Sequence, residues 1–440
     1  MPSEMQTGAS VTLLTGGSDR PYVFGLTTSL ISNGVVLDLI GSDELDFREF
    51  RRESEITFLN LRGSSNPKVN PAAKLARLLR YYIKLIHYAA TAKPEIFHIL
   101  WNNKFETFDR TLLMFYYKLL RKKIVLTVHN VNMRKRDAGD TVLNRVTLRV
   151  QYRLADHLFV HTEKMKTELG DDFGVHPSHI TVIPFGINNS LPNTSIESSE
   201  ARRKLGLSGD RRTILFFGRI TPYKGLDCLI AGFQELLKRQ ENYRLIIAGR
   251  VDRCDKYWQE LRAPIEIDVR NGSIVIKDSF IPDDEVEVYF KAADVLVLPY
   301  RDIYQSGVLF TGQYFGIPIV AADVGAFAED VVGDRTGFLF QTGDAKNLAD
   351  TIERYFESDL YARLSMHRIK IRAYAAERHS WTAVAQMTRD VYSRMTQGLT
   401  KNEVTNKSRG ARRNSRFNEG EGELGEDALA NRFRRWWTSF

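Results

Sequence analysis

The stretch Phe217-Gly218-Arg219-Ile220-Thr221-Pro222-Tyr223-Lys224-Gly225 lies between an apolar run and an amphipathic one. Residues 213–217 before it predict a buried strand, and residues 226–237 after it have the apolar spacing of a helix. The turn between them contains glycines, which let a backbone come close to a ligand, and two cations five residues apart. Arg219 and Lys224 can each meet an oxygen anion there. The turn therefore predicts a site for a doubly negative group, and the alternative is an ordinary loop with two solvated cations.

The rest of the chain repeats this alternation of strand and helix. Segments with helical spacing, such as 72–91, 110–120 and 143–154, separate the apolar runs. Those runs predict strands at 11–14, 35–39, 56–59, 96–100, 124–128, 157–160 and 181–183, and then at 213–217, 244–248, 273–277, 295–298, 317–321 and 337–340. Such alternation is typical of parallel sheets that are covered on both faces.

A polar stretch at residues 188–199 separates the two sets of strands and predicts a linker. We therefore expect an α/β fold with two doubly wound, Rossmann-like domains that face each other across a cleft. The expected boundaries are 1–190 for the first domain, 191–395 for the second domain with its closing helices, and 396–440 for a disordered tail. Because ligands bind outside the carboxyl ends of strands in such sheets, the cleft is the expected site.

Composition limits the class of protein. The 440 residues are 43% hydrophobic and 26% charged, as in globular proteins, and no run of eighteen apolar residues predicts a membrane span. The N-terminus lacks the pattern of a signal peptide, and two cysteines, Cys228 and Cys254, form no disulfide framework. We therefore expect a cytoplasmic protein. The formal net charge of +8 favours anionic partners.

Several loops at predicted strand ends carry candidate ligand-binding residues. His129 ends a strand and should project into the cleft, although a single histidine is more often structural. A helix predicted to begin at Ser306-Gly307-Val308 would offer its first backbone amides to an anion. The glycine pair Gly16-Gly17 and the strand end at Gly249 let backbone approach a ligand.

These motifs, taken together, resemble the retaining GT-B glycosyltransferases of family 4. The resemblance covers residues 10–395 and is closest in the second half. The motifs that carry it there are Gly218-Arg219, Lys224-Gly225, Ala248-Gly249, Phe280-Ile281-Pro282, Ala293-Asp294-Val295, Ser306-Gly307-Val308, Gly316-Ile317-Pro318-Ile319-Val320-Ala321 and Gly337-Phe338-Leu339. The first half matches more loosely, through Gly16-Gly17, His98, His129-Asn130 and Pro184-Phe185-Gly186-Ile187-Asn188.

The resemblance implies transfer of a hexose-type sugar from a nucleoside diphosphate sugar to an acceptor hydroxyl, with retention. It places Arg219 and Lys224 on the departing diphosphate and His129 beside the donor sugar as a hydrogen-bonding partner. It also implies donor contacts, which are Gly17, Gly218, Gly249, Phe280, Ser306, Gly307, Val308 and Thr311. No cofactor is implied, and without an Asp-x-Asp pair or a His/Cys cluster we expect a metal-independent site.

One departure from the family pattern concerns two glutamates that its members usually carry. Counted back from Pro318, those positions hold Ile303 and Thr311. A variant subgroup is one interpretation, and a sugar-nucleotide-binding partner subunit without turnover is another. A GT-B sugar-nucleotide epimerase is a further alternative, but it would need carboxylates that the sequence does not clearly supply.

The acceptor is expected to be a glycan or a lipid-linked sugar in surface polysaccharide or glycolipid assembly. The C-terminal end, Arg432-Phe433-Arg434-Arg435-Trp436-Trp437, combines cations with aromatic rings, as segments on anionic membranes do. It predicts peripheral contact with the inner membrane face, and the alternative is a tail that docks on its own domain. We expect no nucleic-acid partner, since clustered basic and aromatic residues occur only in this tail.

Overall fold

The computed structural model describes residues 9–16, 19–64, 70–136, 139–188 and 190–414. Two parallel sheets organise these residues, the first with the strand order β3-β2-β1-β4-β5-β6-β7 and the second with the order β10-β9-β8-β11-β12-β13. The strands are β1 (Ser10–Leu14), β2 (Val36–Gly41), β3 (Ile56–Asn60), β4 (Ile96–Ile99), β5 (Lys123–Thr127), β6 (His157–Val160), β7 (Ile180–Val182), β8 (Arg212–Phe217), β9 (Tyr243–Ala248), β10 (Ile274–Lys277), β11 (Val295–Leu298), β12 (Ile319–Ala322) and β13 (Gly337–Phe340).

Helices fill the connections between these strands. They are α1 (Arg20–Ser32), α2 (Pro71–Thr91), α3 (Glu106–Phe108), α4 (Met114–Leu119), α5 (Met133–Arg136), α6 (Val142–Leu154), α7 (Glu163–Phe173), α8 (Ser198–Lys204), α9 (Leu226–Arg239), α10 (Asp255–Arg262), α11 (Glu266–Arg270), α12 (Asp283–Ala292), α13 (Gly307–Phe315), α14 (Phe327–Asp330), α15 (Ala345–Glu357), α16 (Asp359–Ala362), α17 (Leu364–Arg378) and α18 (Trp381–Asn414). A π-helical segment, Asp109–Leu113, joins α3 to α4. Five 3-10 segments complete the described helices: Asp43–Leu45, Glu49–Arg52, Pro177–His179, Pro222–Lys224 and Ala263–Ile265.

Strands β9, β11 and β12 of the second sheet are buried along their whole length, as their continuous apolar runs predict, whereas the edge strand β10 is partly exposed. Along β8, Ile214 and Phe216 pack into the layer that contains α9 and α15, and Leu215 packs into the layer that contains α12 and α13. All three side chains are fully buried. Alternate residues therefore serve opposite helical layers, and the doubly wound arrangement is confirmed.

Contacts between the two domains hold their strand ends on either side of a cleft. The Tyr304 hydroxyl, in the loop after β11, donates to Glu168 Oε1 on α7 at 2.8 Å. The ring of Phe185 stacks on Phe310 of α13, with centroids 5.1 Å apart. Trp381, at the start of α18, donates from its indole nitrogen to the Ile187 carbonyl at 2.7 Å. These contacts position the second-domain loops opposite the first sheet.

The structure differs from the sequence-based expectation in two places. The helix expected at 110–120 begins earlier and includes the π-helical turn. Helix α18 continues to Asn414, whereas the sequence predicts disorder from Gly398 onward. Residues 399–414 include Leu, Lys, Glu, Ala and Arg, which favour helix despite the low apolar content. The basic aromatic end of the chain lies outside the described residues, so its predicted membrane contact stays a prediction.

Candidate active site

The turn after β8 lies directly against the end of β9. The Gly218 amide donates to the Ala248 carbonyl at 2.9 Å, and Gly218 and Gly249 have φ values of +103° and +146°. A Cβ atom on Gly249 would stand 2.0 Å from the Gly218 carbonyl oxygen. Only glycine fits this backbone contact, so Gly249 positions the Gly218 turn.

Lys224 ends a 3-10 turn, Pro222–Lys224, and its side chain folds back under Gly218. The residue is only 6% exposed, and its ammonium lies 5.2 Å from the centre of the Tyr300 ring. A Cβ atom on Gly218 would stand 2.8 Å from Lys224 Nζ and 3.2 Å from Val308 Cγ2. The structure therefore brings Gly218, Lys224 and Val308 together, from two separate loops.

Burial lowers the pKa of Lys224 to about 8, and the positive charge of Arg219 acts in the same direction. No carboxylate among the described residues forms an ion pair with this ammonium. The ammonium is thus a buried cation without an anionic partner, which an incoming anion would stabilise.

Two polar atoms in the loops that lead to Lys224 and to α13 are buried without a hydrogen-bond partner among the described residues. They are Thr221 Oγ1, at the start of the 3-10 turn, and Gln305 Oε1, in the loop before α13. Since buried polar atoms are ordinarily bonded, such atoms indicate a place where a ligand or water supplies the missing partner.

Helix α13 begins in the same place. Ser306 is its N-cap, and the Ser306 hydroxyl oxygen accepts from the Leu309 amide at 3.4 Å. The amides of Gly307 and Val308 belong to the first turn, where a helix offers no internal acceptor. They add two donors and the positive end of the helix dipole to the Lys224 cation.

Arg219 occupies a different environment from Lys224. Its side chain is 60% exposed, and the guanidinium Nη1 lies 2.9 Å from Asp252 Oδ2. An exposed ion pair of this kind is weak and easily exchanged for another anion. Arg219 can therefore turn to a ligand at the mouth of the site, whereas Lys224 is fixed beneath it.

The remaining predicted donor contacts are spread over the second domain. Phe280 follows β10 and is 67% exposed, and the Gly249 amide donates to the Lys277 carbonyl at 2.8 Å, which places this loop beside the Gly249 turn. The Thr311 hydroxyl donates to the Gly307 carbonyl at 2.9 Å, so its proton is already used within α13. Gly17 lies outside the described residues.

In the first domain, His129 follows β5 and belongs to a cluster of rings. Its imidazole stacks on Trp101, with centroids 4.2 Å apart and planes within 5° of parallel. The edge of Tyr22 packs on it at 4.9 Å. Burial, followed by the neighbouring His161 and His98, lowers the pKa of His129 well below its ordinary value, and the Leu100 carbonyl acts in the opposite direction. The ring is therefore neutral near pH 7.

The hydrogen bonds of the pair His129 and His161 define which nitrogen carries the proton. His161 Nδ1 lies 3.3 Å from the Ile183 carbonyl, which can only accept, so this nitrogen donates. Burial lowers the pKa of His161 to about 4, and the neutral ring must then accept at Nε2 from His129 Nδ1, 3.2 Å away. This leaves His129 Nε2 as a buried acceptor with no partner among the described residues.

A cavity of about 240 Å³ opens beside this cluster. Asn102 and Gln151 line it and bond to each other through both amide groups, at 3.2 and 2.7 Å. Glu106 lies between two arginines of the same wall, Arg110 at 2.9 Å and Arg134 at 3.2 Å. The wall thus offers amides and internally paired charges, which suits a ligand rich in hydroxyl groups.

Sequence reasoning missed Trp101, His161 and Tyr300. Trp101 and His161 follow β4 and β6 in the way that His129 follows β5. The same signal, a polar or aromatic residue just after a parallel strand, would have found them. Tyr300 is the second residue after β11, and its conspicuous neighbours in the sequence, Arg301 and Asp302, are exposed.

Two doubly wound sheets that face each other across a cleft are the fold of the GT-B class of proteins. Residues 19–191 match the model of the family "Glycosyltransferase Family 4", and residues 211–358 match that of "Glycosyl transferases group 1". The two segments are therefore similar to these two glycosyltransferase families. The matches take in the whole second sheet and the first sheet from β2 onward.

Curated proteins with similar sequences carry glycosyltransferase names. D-inositol 3-phosphate glycosyltransferases of Corynebacterium aurimucosum and Corynebacterium efficiens are 28% and 29% identical to this chain. The two matches cover 60% and 59% of its length. The matched part spans 63% and 61% of the length of these relatives.

Two solved structures share the fold at low identity. Sucrose-phosphate synthase from Thermosynechococcus elongatus has a TM-score of 0.68 at 18% identity, and the match covers 89% of this chain and all of the other. HepE of Anabaena, in complex with UDP, has a TM-score of 0.67 at 16% identity, over 88% and 99% of the two chains. At these identities the likeness supports the GT-B fold alone.

The described residues contain neither a metal-binding cluster nor a membrane-spanning helix. No group of three His, Cys, Asp or Glu side chains in that part of the chain is arranged to hold a metal ion. Within the same residues, no helix combines the length and the apolar character needed to cross a membrane.

Proposed function

We propose that the protein transfers a hexose-type sugar from a nucleoside diphosphate sugar to an acceptor hydroxyl, with retention of configuration. The observation that carries this proposal is the buried, unpaired ammonium of Lys224 beneath Gly218 and beside the first turn of α13. A diphosphate bound there would supply the missing anion. HepE of Anabaena, whose fold this chain shares, holds UDP and UDP-glucose in its structures.

The chemistry follows from the charge that develops on the leaving group. As the bond between the anomeric carbon and the diphosphate oxygen breaks, Lys224 and the amides of Gly307 and Val308 stabilise the departing anion. The acceptor oxygen forms the new bond on the same face, and its proton passes to the leaving phosphate oxygen. Phe280 offers an exposed ring on which the nucleoside can pack.

His129 contributes as a neutral hydrogen-bond acceptor. Its free Nε2 can accept a hydrogen bond from a hydroxyl group of the donor sugar. It does not remove the proton, because the low pKa of the ring makes it a poor base. The adjoining cavity of the first domain is the proposed place for the acceptor, which we take to be a glycan or a lipid-linked sugar.

The test of the donor site is nucleotide binding by calorimetry, with UDP, GDP and ADP as probes. Lys224→Met should weaken the preferred diphosphate at least tenfold, since a charge-assisted contact contributes roughly 1.5–3 kcal/mol. Lys256→Met is the matched control, because Lys256 is almost fully exposed. Equal binding by all three chains would contradict the proposal.

A second candidate function is nucleotide-sugar binding without turnover. Ile303 is buried in an apolar layer and the Thr311 hydroxyl is bonded to Gly307, so neither supplies a carboxylate. A panel of nucleoside diphosphate hexoses with glycan and lipid-extract acceptors separates the two. Glycosidic product with the donor's anomeric configuration, formed in EDTA, supports retaining, metal-independent transfer, whereas binding without product from any donor supports the second candidate.

A further inference from the structure

Large apolar side chains are exposed almost only in the first domain. Of the sixteen in the described residues, thirteen precede residue 190, and the other three are Ile267, Phe280 and Ile369. Ten of the thirteen lie on three helices, and we name them together the apolar face: Leu75, Leu79, Ile83, Ile86, Leu112, Phe115, Leu119, Val142, Leu143 and Val146.

The helical spacing aligns these residues into stripes. The four on α2 are four, four and three residues apart, and the three at 112, 115 and 119 are three and four apart, so each set lies along one side of its helix. The helices are neighbours, because the Tyr116 hydroxyl donates to the Ile86 carbonyl at 3.2 Å and Arg110 donates to Asn144 of α6 at 2.9 Å. The stripes therefore occupy one side of the first sheet.

Helices α2 and α6, which carry seven residues of the apolar face, contribute only cations as charged side chains, whereas the third segment carries Glu106, which pairs with Arg110 and Arg134. Arg145 of α6 pairs with Asp140, just before the helix. Helices α2 and α6 contain no aspartate or glutamate. Helix α2 carries Lys74, Arg77, Arg80 and Lys84, and α6 carries Arg145, Arg149 and Arg153. A protein surface ordinarily mixes both signs, so this composition indicates a strongly anionic partner.

A basic cavity lies next to Leu75, the first residue of the apolar face. The cavity measures about 320 Å³, and its described lining includes Leu75 together with four cationic side chains and no carboxylate. The four cations are Arg62, Lys74, Arg77 and Lys104. A phosphate group fits this charge and size, and the adjacent leucine continues the site into apolar surface.

We infer that the apolar face docks on an anionic lipid bilayer, with a lipid phosphate group in the basic cavity. The apolar side chains enter the interface while the cations of α2 and α6 meet the headgroups. A second copy of the chain suits the face less well, because a two-fold contact would set like-charged helices against each other. The proposal is separate from the predicted contact of the C-terminal tail.

Sedimentation of the full-length chain with liposomes tests the inference. Liposomes that contain phosphatidylglycerol should carry the protein down, and pure phosphatidylcholine liposomes should not. Leu79→Ser/Ile83→Ser should weaken binding on the order of tenfold or more, since both side chains lose apolar area at the interface. Ile267→Ser/Ile369→Ser is the matched control, because Ile83 and Ile267 are 69% and 72% exposed, and it should bind like the parent.

A charge variant gives a second, independent readout. Arg77→Gln/Lys104→Gln should weaken binding to anionic liposomes by about an order of magnitude relative to the parent, and binding should depend less on salt. Lys256→Gln/Arg270→Gln, with two exposed cations of the second domain, should leave both unchanged.

Two outcomes would overturn the inference. One is sedimentation of the serine and glutamine variants like the parent, which would leave the tail as the binding segment. The other is a dimer in analytical ultracentrifugation that dissociates in the serine variant, without any liposome binding by the parent.

Discussion

The two domains have the same architecture at their strand ends but differ in electrostatics: the first site is neutral and the second is cationic. In the first domain the rings of His129 and His161 are neutral, and the cavity beside them is lined by amides and by arginines paired with Glu106. In the second, Lys224 is buried as a cation beneath a glycine turn, with no carboxylate paired to it among the described residues. The first site is neutral around His129, and the second has a buried cation that an anion would stabilise.

This difference indicates how the work is divided. A neutral cavity can accept a ligand through hydroxyl groups without a large change in charge. A buried cation destabilises the folded protein until an anion arrives, so the second domain should gain stability on binding its ligand. The apolar face belongs to the first domain as well, which would bring a lipid-bound acceptor to the neutral side of the cleft.

The largest expected effect concerns the backbone contact that builds the second site. In Gly249→Ala the new Cβ would meet the Gly218 carbonyl at 2.0 Å, in a backbone conformation that alanine rarely adopts. We expect a loss of about 3 kcal/mol in the free energy of unfolding, measured by denaturant titration. Gly343→Ala is the control, because Gly343 also has positive φ but open space around it, and it should lose about 1 kcal/mol. Equal losses of unfolding free energy in the two variants would show that the contact with the Gly218 carbonyl is not the cause.

The next effect is a gain in stability when the buried charge is removed. The pKa of Lys224 is about 8 in the folded protein and 10.5 unfolded, so below pH 8 the fold carries the whole cost of burying the ammonium. Lys224→Met should raise the free energy of unfolding by roughly 1–3 kcal/mol at pH 7. The gain should shrink between pH 8 and pH 10.5 and vanish above pH 10.5, because the lysine is then neutral in both the folded and the unfolded state.

Denaturant titrations of parent and Lys224→Met at pH 7, 9 and 10.5 measure this trend, with Lys256→Met as the exposed control. A variant that is less stable than the parent at pH 7 would show that the ammonium contributes more through its contact with Tyr300 than its burial costs. The contrast between a neutral first site and a second site that bears the cost of a buried cation would then be lost.

The strand positions and the glycine turns could be predicted from the sequence because both depend on residues close together in the chain. Each strand lies within two residues of its predicted run, since buried parallel strands are continuous apolar segments. The positions of Lys224 and of the Ser306 cap follow from the turn and the helix start that their neighbours define.

The parts that could not be predicted depend on contacts between distant segments. The stack of Trp101 on His129 joins residues 28 positions apart, and nothing local marks it. The sequence predicts Gly249 as a ligand contact, but its missing side chain makes room for the Gly218 carbonyl, which only the three-dimensional structure shows. The exposed stripe of α2 has the spacing of a core face, so only the fold shows that it points outward.

The smallest effect concerns the first domain and asks whether the two sites act separately. Trp101→Leu removes the ring that holds His129 in place, an interaction of roughly 0.5–1.5 kcal/mol. The catalytic efficiency, kcat/KM, should therefore fall about threefold to tenfold, while the calorimetric Kd of the nucleotide stays that of the parent. Trp101→Phe, which keeps a flat ring, should restore most of the turnover. Lys224→Met, in contrast, is expected to change the nucleotide Kd, so the two variants should affect different measurements. If Trp101→Leu weakens the nucleotide as much as it slows turnover, the neutral cavity is part of the donor site and the division between the domains is wrong.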